Sequence, residues 1–182
     1  MIILITGVPC SGKTTLLQNL CSRLPNPKED VFEPIPLWKC KEYGFANFAG
    51  LDTPYKGDIL HVQHYPIFSH HPSEDAYIPM YQKFCNEVTV KYRHTIIECD
   101  VHWGSEEIQW VLDNHESQVF LLTVDSNEEL RRLSERTEGE VEIDFHSHIN
   151  TIQSNINVLN VRENNSIEDS LKIEDEIYVK VI

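Results

Sequence analysis

Apolar residues along this chain gather into short, β-branched runs, separated by stretches in which they recur at helical spacing. Ile2-Ile3-Leu4-Ile5 predicts a strand buried on both faces. Thr95-Ile96-Ile97-Glu98, Val119 to Asp125 and Ile156 to Val161 predict three more, and Asp30-Val31-Phe32-Glu33 predicts a short one ended by Pro34. A helix is expected from Lys13 to about Leu24, with Leu16, Leu17 and Leu20 on one face and Pro25 ending it. Others are expected over 74–92, 105–114, 144–154 and 167–178. A further helix should follow Asp125, with Ser126 and Glu129 as a capping box and Leu130 and Leu133 as its apolar stripe. Alternating strands and helices predict an α/β domain over 1–182, with a five-stranded parallel sheet flanked by helices. Residues 39–73, rich in Gly, Pro, Tyr and His, break the pattern and read as an irregular insertion. No internal repeat or low-complexity tract is present.

The connection after the first strand carries the strongest chemical signal. Residues 7–14 read Gly-Val-Pro-Cys-Ser-Gly-Lys-Thr, which is G-x-x-x-x-G-K-[ST] between a buried strand and a helix. A chance glycine-rich turn would lack that context. Gly7 and Gly12 let the backbone approach phosphates, and loop N–H groups plus the helix N-terminus attract anions. Lys13 can reach the β- and γ-phosphates, and Thr14 can ligate Mg2+. Gly7, Pro9, Cys10, Ser11, Gly12, Lys13, Thr14 and Thr15 are therefore the expected ATP site, and the expected fold is that of a P-loop NTPase.

Ligands of such sheets bind at the C-terminal strand ends, which directs attention to carboxylates there. Glu33, followed by Pro34 and Trp38, can take a proton from an attacking hydroxyl, with the indole walling a ring pocket. On spacing alone, a surface Glu before a turn and a core Trp explain the same residues. Glu98-Cys99-Asp100 ends another strand; Asp100 is expected near the metal, with Glu98 in support. Arg132 and Arg136 share a helix face, and we expect them to act on the moving phosphoryl group from a lid over 131–145. A solvated helix end would also favour arginines. The histidines of His61-Val62-Gln63-His64 and His70-His71 lack the partners of a zinc site.

Composition narrows the partners. The net charge is −14, with 29 acidic against 15 basic residues, which disfavours nucleic acid because that affinity rests on Lys and Arg at phosphates. No apolar run approaches the length that spans a bilayer. The five cysteines form no C-x-x-C and read as free thiols in a reducing compartment. The first residues lack the flank and cleavage site of a signal peptide. The expectation is a cytoplasmic protein acting on a small molecule.

Taken in order, these motifs resemble the P-loop deoxyribonucleoside kinases. The P-loop through Thr15 matches. Glu33-Pro34…Trp38 resembles the family's Glu-Pro-Val-x-x-Trp, and Tyr81-Gln82-Lys83-Phe84 its aromatic-Gln-x-aromatic step. Arg132 and Arg136, with Glu138 and Glu140, resemble its lid. The resemblance implies that Glu33 is the base for a sugar hydroxyl, that Trp38, Gln82 and Glu98 line the acceptor pocket, and that the enzyme uses ATP and Mg2+ on a nucleoside as a possible homodimer. Two departures stand out: Cys99 replaces the Arg of the family's Glu-Arg-Ser, and 100–119 is short. A nucleoside monophosphate, another small molecule or a modified DNA base is an alternative acceptor, with Lys39, Lys41 and Lys56 as candidate phosphate contacts. A non-kinase NTPase module is the alternative of another class.

Overall fold

Alternation along the first strand sets both faces of the sheet. β1 (Ile2–Gly7) is buried throughout. Its even residues Ile2 and Leu4 join one apolar cluster, and Ile3 and Ile5 join the other. Strand side chains alternate between faces, so a run that is apolar at every position must be covered on both sides. The computed structural model describes residues 1–23, 33–34, 47–52, 59–65, 82, 85–86, 89–90, 94–99, 104–136 and 145–182.

The remaining elements follow in chain order. They are α1 (Lys13–Arg23), β2 (Glu33–Pro34), β3 (Asn47–Asp52), β4 (Ile59–Tyr65), β5 (His94–Glu98), α2 (Ser105–Asn114), β6 (Ser117–Thr123), α3 (Ser126–Arg136), α4 (Phe145–Asn155), β7 (Leu159–Glu163) and α5 (Ile167–Val181). Gln82, Cys85, Asn86, Thr89 and Val90 are also helical, within the helix expected over 74–92. One sheet runs β2-β3-β4-β5-β1-β6-β7. From β4 to β7 every pairing is parallel, which makes the five-stranded parallel core; β2 and β3 add an antiparallel edge.

On one face, Ile2, Leu4, Ile97, Val119 and Leu121 pack with Ile108 and Val111 of α2 and Ile149 and Ile152 of α4. On the other, Ile3, Ile5, Ile96, Phe120 and Leu122 pack with Leu16, Leu17 and Leu20 of α1 and Ile173, Ile177 and Val181 of α5. Full burial of such a side chain is worth about 1.5–3 kcal/mol, so these two layers fix where the strand ends lie. A small polar cluster joins α1 to α5 beside the second layer. Glu174, 1% exposed, accepts from Asn19 Nδ2 at 3.1 Å and from Arg23 at 3.4 Å. Arg23 also pairs with Asp175 and lies 5.2 Å above the Tyr178 ring.

Three expectations need correction. The parallel neighbour of β5 on the side away from β1 is β4; of the expected strand Asp30–Glu33, residues 30–32 lie outside the described residues, and Glu33 pairs antiparallel with Asp52 of β3. Residues 39–73, expected to be irregular, hold β3 and β4. The α3 cap is Asp125 rather than Ser126: the Asp125 carboxylate accepts from the N–H groups of Asn127 and Glu128, each at 3.0 Å. On the same helix Glu129 is buried while Leu130 is 65% exposed, so the supposed apolar stripe turns partly to solvent.

Candidate active site

Parallel strands bring their C-terminal ends to one edge of the sheet. That edge gathers Gly7 at the end of β1, Glu98 at the end of β5, Asp125 just after β6 and Asn164 just after β7. The Gly7–Thr14 loop lies among them. Gly7 has φ +152° and Gly12 φ +85°, conformations open to glycine and strained for other residues. Cys10, at φ +63°, holds a left-handed conformation without being glycine. Such strain costs on the order of 1–3 kcal/mol and persists where surroundings over-determine it.

The surroundings do so here. The Lys13 ammonium donates to the carbonyls of Gly7 and Val8 at 2.8 and 2.9 Å. The Ser11 N–H donates to Val8 O at 3.2 Å, and α1 starts at once, with Leu16 N–H donating to Gly12 O at 2.9 Å. Arg132 of α3 donates through one NH group to Cys10 O at 3.1 Å and through the other to Asn164 O at 2.9 Å. Its Nε donates to Glu128 at 2.7 Å. The guanidinium of Arg131, and then that of Arg132, hold the Glu128 carboxyl down at about 2, so Glu128 stays ionised and anchors Arg132 across the neutral range. Ser11 Oγ is buried beside the loop without a hydrogen-bond partner among the described residues.

Glu98 brings a carboxylate to the first turn of α1. It is 6% exposed, and its Oε1 accepts from the Thr14 hydroxyl at 2.7 Å. The hydroxyl proton is thereby directed at Glu98, which leaves the oxygen lone pairs to face a cation. A buried carboxylate beside a hydroxyl at the phosphate loop is a donor set suited to Mg2+, a hard cation that favours oxygen and keeps much of its water.

The sequence expectations divide accordingly. The loop residues Gly7, Pro9, Cys10, Ser11, Gly12, Lys13 and Thr14 come together with Glu98 and Arg132, while Thr15 points to solvent. Glu33 does not join them. It lies on the outermost strand β2, four strands from β1, or about 19 Å at the usual strand spacing. Gln82 is helical and half-buried. Trp38, Asp100 and most of the acceptor segment (Lys39, Lys41, Lys56, His70 and His71 with it) lie outside the described residues. So do Tyr81, Lys83, Phe84, Glu138, Glu140 and the side chain of Arg136. The residue that sequence reasoning missed is Asn164, whose Nδ2 donates to Ser11 O at 2.6 Å. Its only signal was a polar cluster, Glu163-Asn164-Asn165-Ser166, at the end of a strand.

This loop between β1 and α1, on a parallel sheet covered by helices, defines a P-loop NTPase fold. Solved structures agree. The Deinococcus radiodurans tunicamycin resistance protein superposes with a TM-score of 0.54 at 19% identity, over 99% of this chain and 94% of its own. Shikimate kinase from Bacteroides thetaiotaomicron gives 0.52 at 12% identity, over 100% and 98%. The Aquifex aeolicus shikimate kinase gives 0.50 at 15%, over 100% and 96%. Identities this low establish the fold. No protein-family model and no curated protein matches the sequence. Among the described residues no helix is long and apolar enough to cross a membrane, and no group of three metal-ligating side chains forms.

Proposed function

We propose that this chain is an ATP-dependent phosphotransferase whose acceptor is a hydroxyl group of a small molecule, with a nucleoside as the first candidate. The observation that carries the reading is the Thr14–Glu98 contact beside a formed phosphate loop. A nucleotide-binding loop needs only its amides and lysine; the buried carboxylate adds the support that a metal-assisted transfer requires. Loop amides and Lys13 would hold the phosphates, and Thr14 with Glu98 would hold Mg2+, which would supply charge neutralisation for the transfer. Arg132 adds positive charge at the loop. Asp100 and Arg136 remain candidates for the metal and the lid.

The nucleoside acceptor rests on the sequence resemblance carried by Glu33-Pro34…Trp38 and Gln82. The position of Glu33 across the sheet weighs against its acting as base in this arrangement. Two of the structural neighbours are shikimate kinases, so a cyclic polyol belongs in the same test.

That test is ADP release from ATP and Mg2+ without acceptor, and then with each deoxynucleoside, each nucleoside monophosphate, shikimate or duplex DNA. We expect stimulation by one or a few nucleosides. Stimulation by monophosphates, shikimate or DNA alone would keep the chemistry and replace the acceptor. A steady rate indifferent to every acceptor would instead identify an NTPase. The metal assignment is tested separately with Glu98→Gln, which keeps the shape and removes the charge. It is expected to raise the Mg2+ concentration for half-maximal ADP release about 10- to 100-fold. An unchanged Mg2+ titration would remove Glu98 from the metal's surroundings.

A further inference from the structure

We propose that Asn164 is a positioning residue for polyphosphate binding: with Arg132 it braces the phosphate loop from outside. The inference rests on the nucleotide-binding reading of that loop and assigns it a residue that no motif contains. Cys10 and Ser11 present consecutive carbonyls away from the loop interior, and each is held. Arg132 donates to Cys10 O at 3.1 Å, and Asn164 Nδ2 donates to Ser11 O at 2.6 Å. In a trans peptide the C=O and the following N–H point in opposite directions. Fixing Ser11 O on the outside therefore aims the Gly12 N–H inward, as an anion nest requires.

Asn164 is itself immobilised. It is 3% exposed, its N–H donates to Thr123 O at 2.8 Å, and its carbonyl accepts from Arg132 at 2.9 Å. The amide also occupies the space above Gly12, where a Cβ would come within 2.6 Å of Nδ2. One residue thus links the end of β6 and the α3 arginine, through its backbone, to the loop, through its side chain. The left-handed Cys10 needs such external support, since the sequence alone would favour a relaxed turn.

The backbone bonds of Asn164 survive side-chain replacement, so variants isolate the carboxamide. Asn164→Ala removes it, and Asn164→Leu removes the donor while keeping most of the volume. The probe is inorganic tripolyphosphate, which engages the loop without a base or sugar, titrated calorimetrically beside ATP into the full chain. Both variants should bind both ligands about tenfold or more weakly, the cost of a lost buried hydrogen bond. Titrations run well below each variant's unfolding temperature report the folded protein, whose affinity a purely structural role would leave unchanged. Wild-type affinity for tripolyphosphate, within twofold, in either folded variant overturns the proposal alone. Failure of the wild type to bind either ligand overturns the nucleotide reading as well.

Discussion

Gly7→Ala is expected to destabilise the unliganded protein by at least about 3 kcal/mol, through overpacking and backbone strain together. For a chain of this size that lowers the melting temperature by about 6–12 °C. Gly7 lies at the end of β1, in register with Leu122 of β6. A Cβ on Gly7 would lie 2.3 Å from Leu122 O and 2.8 Å from Ser11 Oγ. The first of these is strand backbone, which cannot move without breaking the β1–β6 ladder at the point where the loop departs. The φ of +152° adds strain of its own. Gly104→Ala is the matched control. Its added Cβ would meet only the end of the Glu107 side chain, at 2.9 Å, and its φ is −76°. Thermal unfolding by circular dichroism separates the two. A Gly7→Ala protein that melts within 2 °C of wild type would mean the loop does not leave the sheet as described.

What the sequence disclosed, and what it hid, follows from how local each signal is. β1, the loop and α1 are contiguous, and every cue (buried run, two glycines, lysine, helix start) lies within about twenty residues. Strands buried on both faces, such as β5 and β6, announce themselves as unbroken apolar runs. β4 did not, because Ile-Leu-His-Val-Gln-His-Tyr mixes polar residues into the run and lies in a stretch whose Gly, Pro, Tyr and His content reads as irregular. The direction in which Glu33 pairs was equally hidden, because β-branched character reports a preference for strand, while sheet partners decide whether it runs parallel or antiparallel. The α3 stripe failed for a related reason: Leu130 fits a helical period, but the helix turns Glu129 inward. Glu98 could be read as a strand-end carboxylate, whereas its choice of Thr14 required two segments 84 residues apart. Asn164 lies 153 residues from the carbonyl it holds. No local pattern encodes that pairing; it appears only once β7 is placed beside β6.

Lys13→Met should lower acceptor-stimulated ADP release about a thousandfold or more, the scale of losing a charged group from a phosphoryl-transfer site. Methionine keeps the length and the apolar stem, so the loss isolates charge and donors. Two effects add. The ammonium holds Gly7 O and Val8 O at 2.8 and 2.9 Å, and its removal frees both carbonyls and loosens the loop. Its charge is also needed locally, because a chain of net charge −14 repels a polyphosphate at long range. Lys13, at the start of α1 beside the loop amides, reverses that field at one point. Charge grows on the phosphoryl oxygens as the transition state forms, so turnover should fall further than ATP affinity. Calorimetric titration of ATP and initial rates of ADP release measure the two separately. If affinity falls while turnover at saturating ATP is unchanged, Lys13 only binds; if the variant keeps more than a tenth of wild-type turnover, the loop is not where phosphoryl transfer occurs.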